Sequence, residues 1–350
     1  MWKYDTLYID LDGNGVASPG DTIEYTIIIQ TNLPLPALPA GSILKIYLEL
    51  SKARLGALVV LTALVGYALG SGGNLALSVG LAAVLGTALS SFGANILNQW
   101  WEVDRDRLML RTRSRPLPAG RIGRRTALAL GLGTSAAGLA VLALGTNLLT
   151  AGLSLFTILL YVLVYTPLKV RTPLNTVVGA LCGAVPPMMG WSAATGGLEA
   201  GAWVLGGLLF VWQVPHFLAL AWLYREDYAR GGFRMLPAVD LEGRLTGRLA
   251  FVWAAALLPV TAALSVAGVT GGYYLAASQA AGIGFLALGW VFLRERSSRA
   301  ARRLFLASIL YLPVVLGASV ADRGLRAAVA APPAASLAAA APGDEGGRGL

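Results

Sequence analysis

The stretch NQWWEVDRDRLMLRTRSRPLPAG, residues 98–120, gathers three carboxylates and five arginines in a chain where only 13% of residues are charged. Asn98, Glu102 and Asp106 stand four apart, and at 3.6 residues per turn such positions share one helix face, drifting by about 40° per step. One amide and two carboxylates aimed at one point suit Mg²⁺, which takes one or two carboxylates and completes its shell with water and substrate phosphate. Arg111, Arg113 and Arg115 follow at once, and planar guanidinium groups clamp phosphate oxygens. Acids for a metal beside a phosphate clamp describe a magnesium-diphosphate site. From this stretch alone an equally good account is a set of topology-setting arginines, neutralised by carboxylates at a membrane surface.

Two other connections tip that balance. YTPLK places Tyr165 and Lys169 four apart, and YREDYARGG brings Glu226, Asp227 and Arg230 together. A second carboxylate group opposite the first would let metal ions bridge a diphosphate from both sides. Asp106 and Asp227 are therefore expected to face each other across one cavity, with Lys169 adding a point charge and Tyr165 a hydroxyl donor. The sole histidine, His216, lies inside the apolar stretch WQVPHFLAL. It is either a hydrogen-bonding residue between helices or a functional intramembrane group. One cysteine, Cys182, and one histidine exclude a disulfide framework, a thiolate cluster and a multi-histidine metal site.

The elements that must position these residues are membrane spans. The 350 residues are 56% hydrophobic, their mean hydropathy is +0.66, and apolar runs near the length of a bilayer crossing recur throughout. Read against their Gly, Pro and charged boundaries, they give nine candidate spans at 55–75, 77–99, 126–145, 148–165, 174–194, 201–223, 249–269, 272–293 and 304–321. Of the 27 basic residues, 23 fall in connections on one side of this arrangement. By the positive-inside rule the amino end and the basic loops are cytoplasmic and the carboxyl end is outside. The fold class expected is an all-α integral membrane protein, with about nine transmembrane helices around a central cavity open to the cytoplasmic side. The net charge of +9 is spread through these loops in short patches, which argues against nucleic acid as a partner. Pro186, Pro187 and Pro215 fall inside spans five and six, where broken backbone is tolerated if it lines a cavity.

Three units follow: residues 1–44, 45–322 and 323–350. The first alternates apolar and polar residues around a Gly/Pro turn and reads as a β-hairpin. Asp10, Asp12, Asn14, Gly15 and Asp21 have the spacing of a calcium loop, but strands flank them where helices should. An appended structural piece is the expectation. The last unit is rich in Ala, Pro and Gly and is expected to be disordered.

The pattern NQWWEVDRD, then MLRTRSRPL, YTPLK, GAVPPMMGW, WQVPHFLAL and REDYARGG, resembles the UbiA superfamily of intramembrane prenyltransferases, and within it the members that farnesylate haem. The resemblance runs from about Leu48 to Val320. Glu102 stands where the wider superfamily usually has Asp, and Gly231 where many relatives have another Asp. The resemblance implies transfer of the farnesyl group of farnesyl diphosphate to a vinyl group of haem b, in the inner (plasma) membrane. It implies Asn98, Glu102, Asp106 and Asp227 as catalytic metal ligands for Mg²⁺, and Arg111, Arg115, Tyr165, Lys169 and Arg230 on the diphosphate. It also implies His216 on the haem, membrane lipid as surroundings, and a haem A synthase as the enzyme that takes up the product. The rivals are a UbiA-type prenyltransferase of quinone or chlorophyll synthesis and, in a different class, a membrane transporter. Against the transporter, the acids and arginines collect at one membrane face and not along a transmembrane route.

Overall fold

The computed structural model describes residues 6–9, 22–25 and 40–330, with side chains from 43 to 326. Near the amino end β1 (Thr6–Ile9) pairs antiparallel with β2 (Thr22–Tyr25), Thr6 opposite Tyr25 and Ile9 opposite Thr22. The calcium-loop positions Asp10, Asp12, Asn14, Gly15 and Asp21 lie outside the described residues. Next come α1 (Ala40–Leu50), which crosses the expected 44/45 boundary, and α2 (Ala53–Gly70), α3 (Leu77–Asp106) and α4 (Arg124–Gly145). A compound span follows: α5 (Leu148–Leu159), a π-helical turn (Leu160–Tyr165) and α6 (Thr166–Leu168). The rest is α7 (Asn175–Thr195), α8 (Ala200–Leu223), two short helices α9 (Arg225–Arg230) and α10 (Leu236–Val239), then α11 (Arg244–Val266), α12 (Gly272–Glu295) and α13 (Ser298–Ala330).

Among the described residues nine helices are long and apolar enough to cross a membrane, one for each expected span. Helix is what such runs must form in lipid, where no water meets an unpaired backbone amide. Two ends differ from expectation. α3 continues past residue 99 to Asp106, so the polar motif stays on one uninterrupted helix. α13 continues to Ala330, so residues 323–330 are helical and not part of a structureless tail; residues 331–350 lie outside the described residues.

Lipid supplies no hydrophobic drive between helices, so small residues at the crossings let backbones approach. A Cβ on Gly190 of α7 would fall on the Ala63 carbonyl of α2, and one on Gly93 of α3 would fall on Ser135 of α4. Large side chains go to the two places where they cost nothing. Leu58, Leu81, Leu132 and Leu144 point outward, while Leu205, Leu208, Leu209 and Leu218 of α8 are buried with Tyr274 and Phe292 of α12. α7 and α8 are the most enclosed spans. Pro186 and Pro187 sit within α7, and Pro215 within α8, without ending either helix.

The crossing at Gly190 carries a direct test. Gly190→Val should lower the thermal midpoint of the detergent-solubilised protein, since overpacking costs about 1–3 kcal/mol. Gly284→Val, at an α12 position with nothing within 4 Å, should leave it unchanged. Equal midpoints for the two variants would refute close approach at the α2–α7 crossing.

Candidate active site

Asn98, Glu102 and Asp106 form one face over the last turns of α3 and all three are buried. Two carboxylates taken out of water need cations, and each has one from a different part of the chain. Lys169, at the end of α6, places Nζ 2.8 Å from Glu102 Oε1. Arg115, in the loop after α3, donates from Nη1 to Asp106 Oδ2 at 2.8 Å. Thr112 Oγ1 donates to the Asp106 carbonyl at 2.8 Å and fixes the start of that loop.

Asn98 uses both ends of its amide. Nδ2 donates to Thr166 Oγ1 at 3.0 Å, and Oδ1 accepts from Lys52 Nζ at 2.8 Å. Lys52 occupies the joint between α1 and α2 with φ 51° and ψ 49°, a left-handed conformation that costs an L-residue about 1–2 kcal/mol. The joint is held from α3 as well: Gln99 Nε2 donates to the Leu50 carbonyl at 2.5 Å. Burial, then the neighbouring Arg115 and Lys169, pushes the Lys52 ammonium down to about 7. Burial would push Lys169 the same way, but Glu102 overrides it and holds that ammonium above its ordinary value.

Tyr165 closes the π-helical turn, and turns of this kind are frequent at functional sites. Its ring stacks on Tyr161 with centroids 5.3 Å apart, and Lys169 Nζ lies 4.6 Å above it. Both tyrosines also line an apolar cavity of about 230 Å³ inside the bundle, with Asn95, Cys182, Gln213 and Phe217. The charged cluster therefore sits over one end of an apolar chamber.

The other expected site residues have partners of their own. Asp227 lies where the arginine loop meets α9. Its Oδ1 accepts from the Leu110 amide at 2.8 Å and its Oδ2 from the Arg111 amide at 3.3 Å, so the carboxylate fastens the arginine loop to α9. Among the described residues no three His, Cys, Asp or Glu side chains are grouped closely enough to hold a metal ion. Arg230 and Arg111 lie apart from the buried cluster. Arg230 reaches 3.9 Å from Asp227 with its side chain 46% exposed, and Arg111 lies over the Tyr224 ring. His216 is not among the residues lining the chamber. Its Nδ1 is 2.7 Å from Ser308 Oγ of α13, and its ring stacks on Trp212, a placement that fits the interhelical reading.

Fit to a divalent cation can be tested on the acids that remain. Asp106 Oδ1 is buried and has no hydrogen-bond donor, a costly state for a carboxylate oxygen. Hard oxygen donors with one lone-pair edge open fit Mg²⁺. The Asn98 oxygen, already accepting from Lys52, fits less well.

The chain matches the family model "UbiA prenyltransferase family" over residues 59–339. The chain belongs to the UbiA prenyltransferase family. It is a prenyltransferase and a multi-pass membrane protein. Over 286 residues it is 42% identical to a protoheme IX farnesyltransferase of Solibacter usitatus (strain Ellin6076), covering 79% of this chain and 98% of that one. Its fold is similar to that of a digeranylgeranylglyceryl phosphate synthase structure, with TM-score 0.69, 18% identity, and coverage of 80% of this chain and 98% of that one. It is also similar to a UbiA homolog from Archaeoglobus fulgidus bound to DMAPP and Mg²⁺, with TM-score 0.56, 18% identity and coverage of 78% and 98%.

Within this UbiA chain, sequence reasoning missed Lys52, Thr166, Tyr161 and the fastening role of Asp227. A basic residue ahead of the first span reads as a topology signal, and nothing in its spacing announces a partner 46 residues away. The Asp227 bonds are to backbone amides, which carry no residue signature. Asp227→Ala should speed hydrogen exchange at the Leu110 and Arg111 amides by roughly tenfold or more, the opening cost of a charge-assisted bond. Unchanged exchange at both amides would mean that the loop is held by something else.

Proposed function

We propose that this chain transfers the farnesyl group of farnesyl diphosphate to a vinyl group of haem b. The observation that carries the reading is the Glu102, Lys169, Asp106 and Arg115 cluster placed over an apolar chamber. The acceptor is taken from the relatives named protoheme IX farnesyltransferase, which include a protein 42% identical to this chain over 286 residues. Glu102 and Asp106 would hold Mg²⁺, which when bound neutralises diphosphate and stabilises the charge growing on it. Arg115 and Lys169 would turn from their carboxylates to the phosphate oxygens, with Tyr165 beside them. Fixed donors of this kind act where charge develops.

The bond that breaks joins the allylic carbon to the diphosphate oxygen, which keeps the electron pair. The terminal vinyl carbon supplies the pair for the new carbon–carbon bond. Water adds to the cation left beside the porphyrin and loses a proton, giving the hydroxyethylfarnesyl chain and free diphosphate. The chain contributes no covalent nucleophile. Leu55, Val59, Ile158, Met189 and Phe217 line the chamber and would shield the allylic cation from early capture by water. The charged end of the bundle faces the cytoplasm of the inner membrane in this reading, which the distribution of basic residues supports.

Purified protein incubated in detergent with haem b, farnesyl diphosphate and Mg²⁺ should yield farnesylated, hydrated haem by mass analysis. Unchanged haem alongside prenylated hydroxybenzoate would transfer the assignment to a quinone-type acceptor. Asp106→Asn should lower kcat by about a hundredfold or more, as loss of one preorganised electrostatic group does, at unchanged yield of folded protein. For orientation, a reporter fused after Gly145 or Gly196 should signal outside and one after Gly120 or Gly232 inside. An inside signal at Gly196 would overturn the arrangement.

A further inference from the structure

Arg323 and Arg326 break the pattern that puts 23 of the 27 basic residues at one end of the bundle. The connections 71–76, 146–147, 196–199 and 267–271, which join spans at the other end, contain no Lys or Arg. α13 nevertheless finishes there with two arginines, so orientation by positive charge does not account for them. The length of α2 separates the two ends. Lys52 precedes its first residue and reaches Asn98, whereas Leu69 and Gly70 at its finish line a cavity together with Arg323 and Arg326. Eighteen residues at 1.5 Å each put that cavity about 27 Å from the acidic cluster. It shares no lining residue with the apolar chamber.

The cavity measures about 430 Å³ and lies between the end of α2, Trp191 of α7, the α11–α12 connection at Gly268 and Val269, and α13. Small-molecule sites run from about 300 to 1,000 Å³. The acid beside the arginines does not neutralise them. Asp322, 2% exposed, accepts from the Gly271 and Tyr274 amides, so both its oxygens are committed to the start of α12. Glu199 accepts from Trp191 Nε1. Arg326 Nη1 donates to the Gly268 carbonyl at 3.3 Å. Arg323 Nη2 reaches to 3.6 Å from where a Cβ on Gly72 would stand, and among the described residues neither arginine forms an ion pair. Two guanidinium groups three residues apart on one helix repel each other. An anion between them would remove that repulsion.

We propose that this cavity binds the phosphate of an anionic phospholipid, with Arg323 and Arg326 as its ligands. Guanidinium groups match phosphate oxygens in pairs, and basic pockets between membrane helices take lipid headgroups. Position favours a lipid over a free anion. Four spans end around the cavity, at Gly70, Thr195, Val266 and Arg326, and headgroups lie at the depth where spans end. Val266 and Leu325 beside it point outward, 88% and 54% exposed, and acyl chains would cover them. A lipid held in this way joins the last span to α2 and α7 and stabilises the bundle at the end that lacks the acidic cluster. The site is independent of the reaction proposed at that cluster.

The test uses the full-length protein in an uncharged detergent, with dioleoyl phosphatidylglycerol as the probe and the zwitterionic dioleoyl phosphatidylcholine as its counterpart. Native mass spectrometry counts the lipid retained, and the thermal midpoint is read alongside. Phosphatidylglycerol should be retained about tenfold or more better than phosphatidylcholine, as charge-assisted contacts allow, and should raise the midpoint. Arg323→Gln with Arg326→Gln should bring retention down to the phosphatidylcholine level. Arg323→Gln alone removes a side chain with no hydrogen-bond acceptor among the described residues, so it should melt as the original does without lipid and still lose about fivefold in retention. Arg299→Gln with Arg302→Gln takes two exposed arginines from the other end of α13 and should leave retention within twofold of the original. Equal loss in the two double variants would show a general effect of charge and overturn the site. Full retention in Arg323→Gln and in the Arg323, Arg326 variant would overturn it as well. If inorganic phosphate displaces phosphatidylglycerol and raises the midpoint as far, the occupant is a free anion and the lipid assignment fails.

Discussion

Two carboxylates at the end of a membrane-crossing helix can stay ionised only if cations reach them, and much of the charged end of this protein is arranged around that need. Glu102 and Asp106 have side chains 6% and 1% exposed, and removing one partner of such a pair costs about 3–5 kcal/mol because the other charge is stranded. The partners come from different connections: Lys169 from the far end of the compound span and Arg115 from the loop that follows α3. Each ion pair therefore ties a separate connection to the same helix face. Helices that small residues bring close along their length are locked in register at one end by charge.

The connections are also fastened to one another, so the backbone that carries each cation is held in place while its side chain can turn. Asp227 holds the backbone at Leu110 and Arg111. The Lys169 carbonyl accepts from the Arg234 amide at 2.7 Å, and Asn175 Nδ2 donates to the Arg234 carbonyl at 3.1 Å. Pinned in this way, the arginine loop and the segment after α9 resist rearrangement, and donors fixed before binding lose little on meeting a developing charge. The π-helical turn contributes to the same end. It lets Thr166 turn back to the Tyr161 carbonyl while receiving Asn98, so the polar face of α3 is anchored to the compound span through an uncharged bond as well.

What could be read in the sequence was whatever obeys a local rule. Nine apolar runs became nine candidate spans because lipid leaves a backbone no alternative to helix. Asn98, Glu102 and Asp106 share a face because a helix repeats every 3.6 residues. Partnership across the fold followed no such rule. Asp227 carries the right chemistry for a metal ligand, and only the approach of the Leu110 and Arg111 amides shows that its oxygens also hold the arginine loop. His216 was ambiguous for the same reason: a helix position three residues from Gln213 and one from Phe217 can face either the chamber or α13, and it faces α13. Helix ends were legible to within about six residues, except where α3 carried its polar motif beyond the apolar run that marked the span and where α13 ran on to Ala330.

Position 231, where the resemblance to the superfamily leads to the expectation of a second carboxylate and this chain has glycine, shows how the loop is seated. A Cβ at Gly231 would meet Met109 and Phe233 at 3.0 Å, and the Gly231 carbonyl accepts from Arg105 Nη1 at 3.2 Å. The place a longer side chain would need is thus filled by the arginine loop folding against α9, the same contact that Asp227 secures. Asp227 and position 231 thus both secure that loop, while Glu102 and Asp106 hold Lys169 and Arg115. A buried carboxylate attracts a cation more strongly the less water screens it. The loop contact keeps Arg115 within reach of Asp106 and the ion pair in turn holds the loop to α3, so backbone fastening and charge pairing are two parts of one packing arrangement.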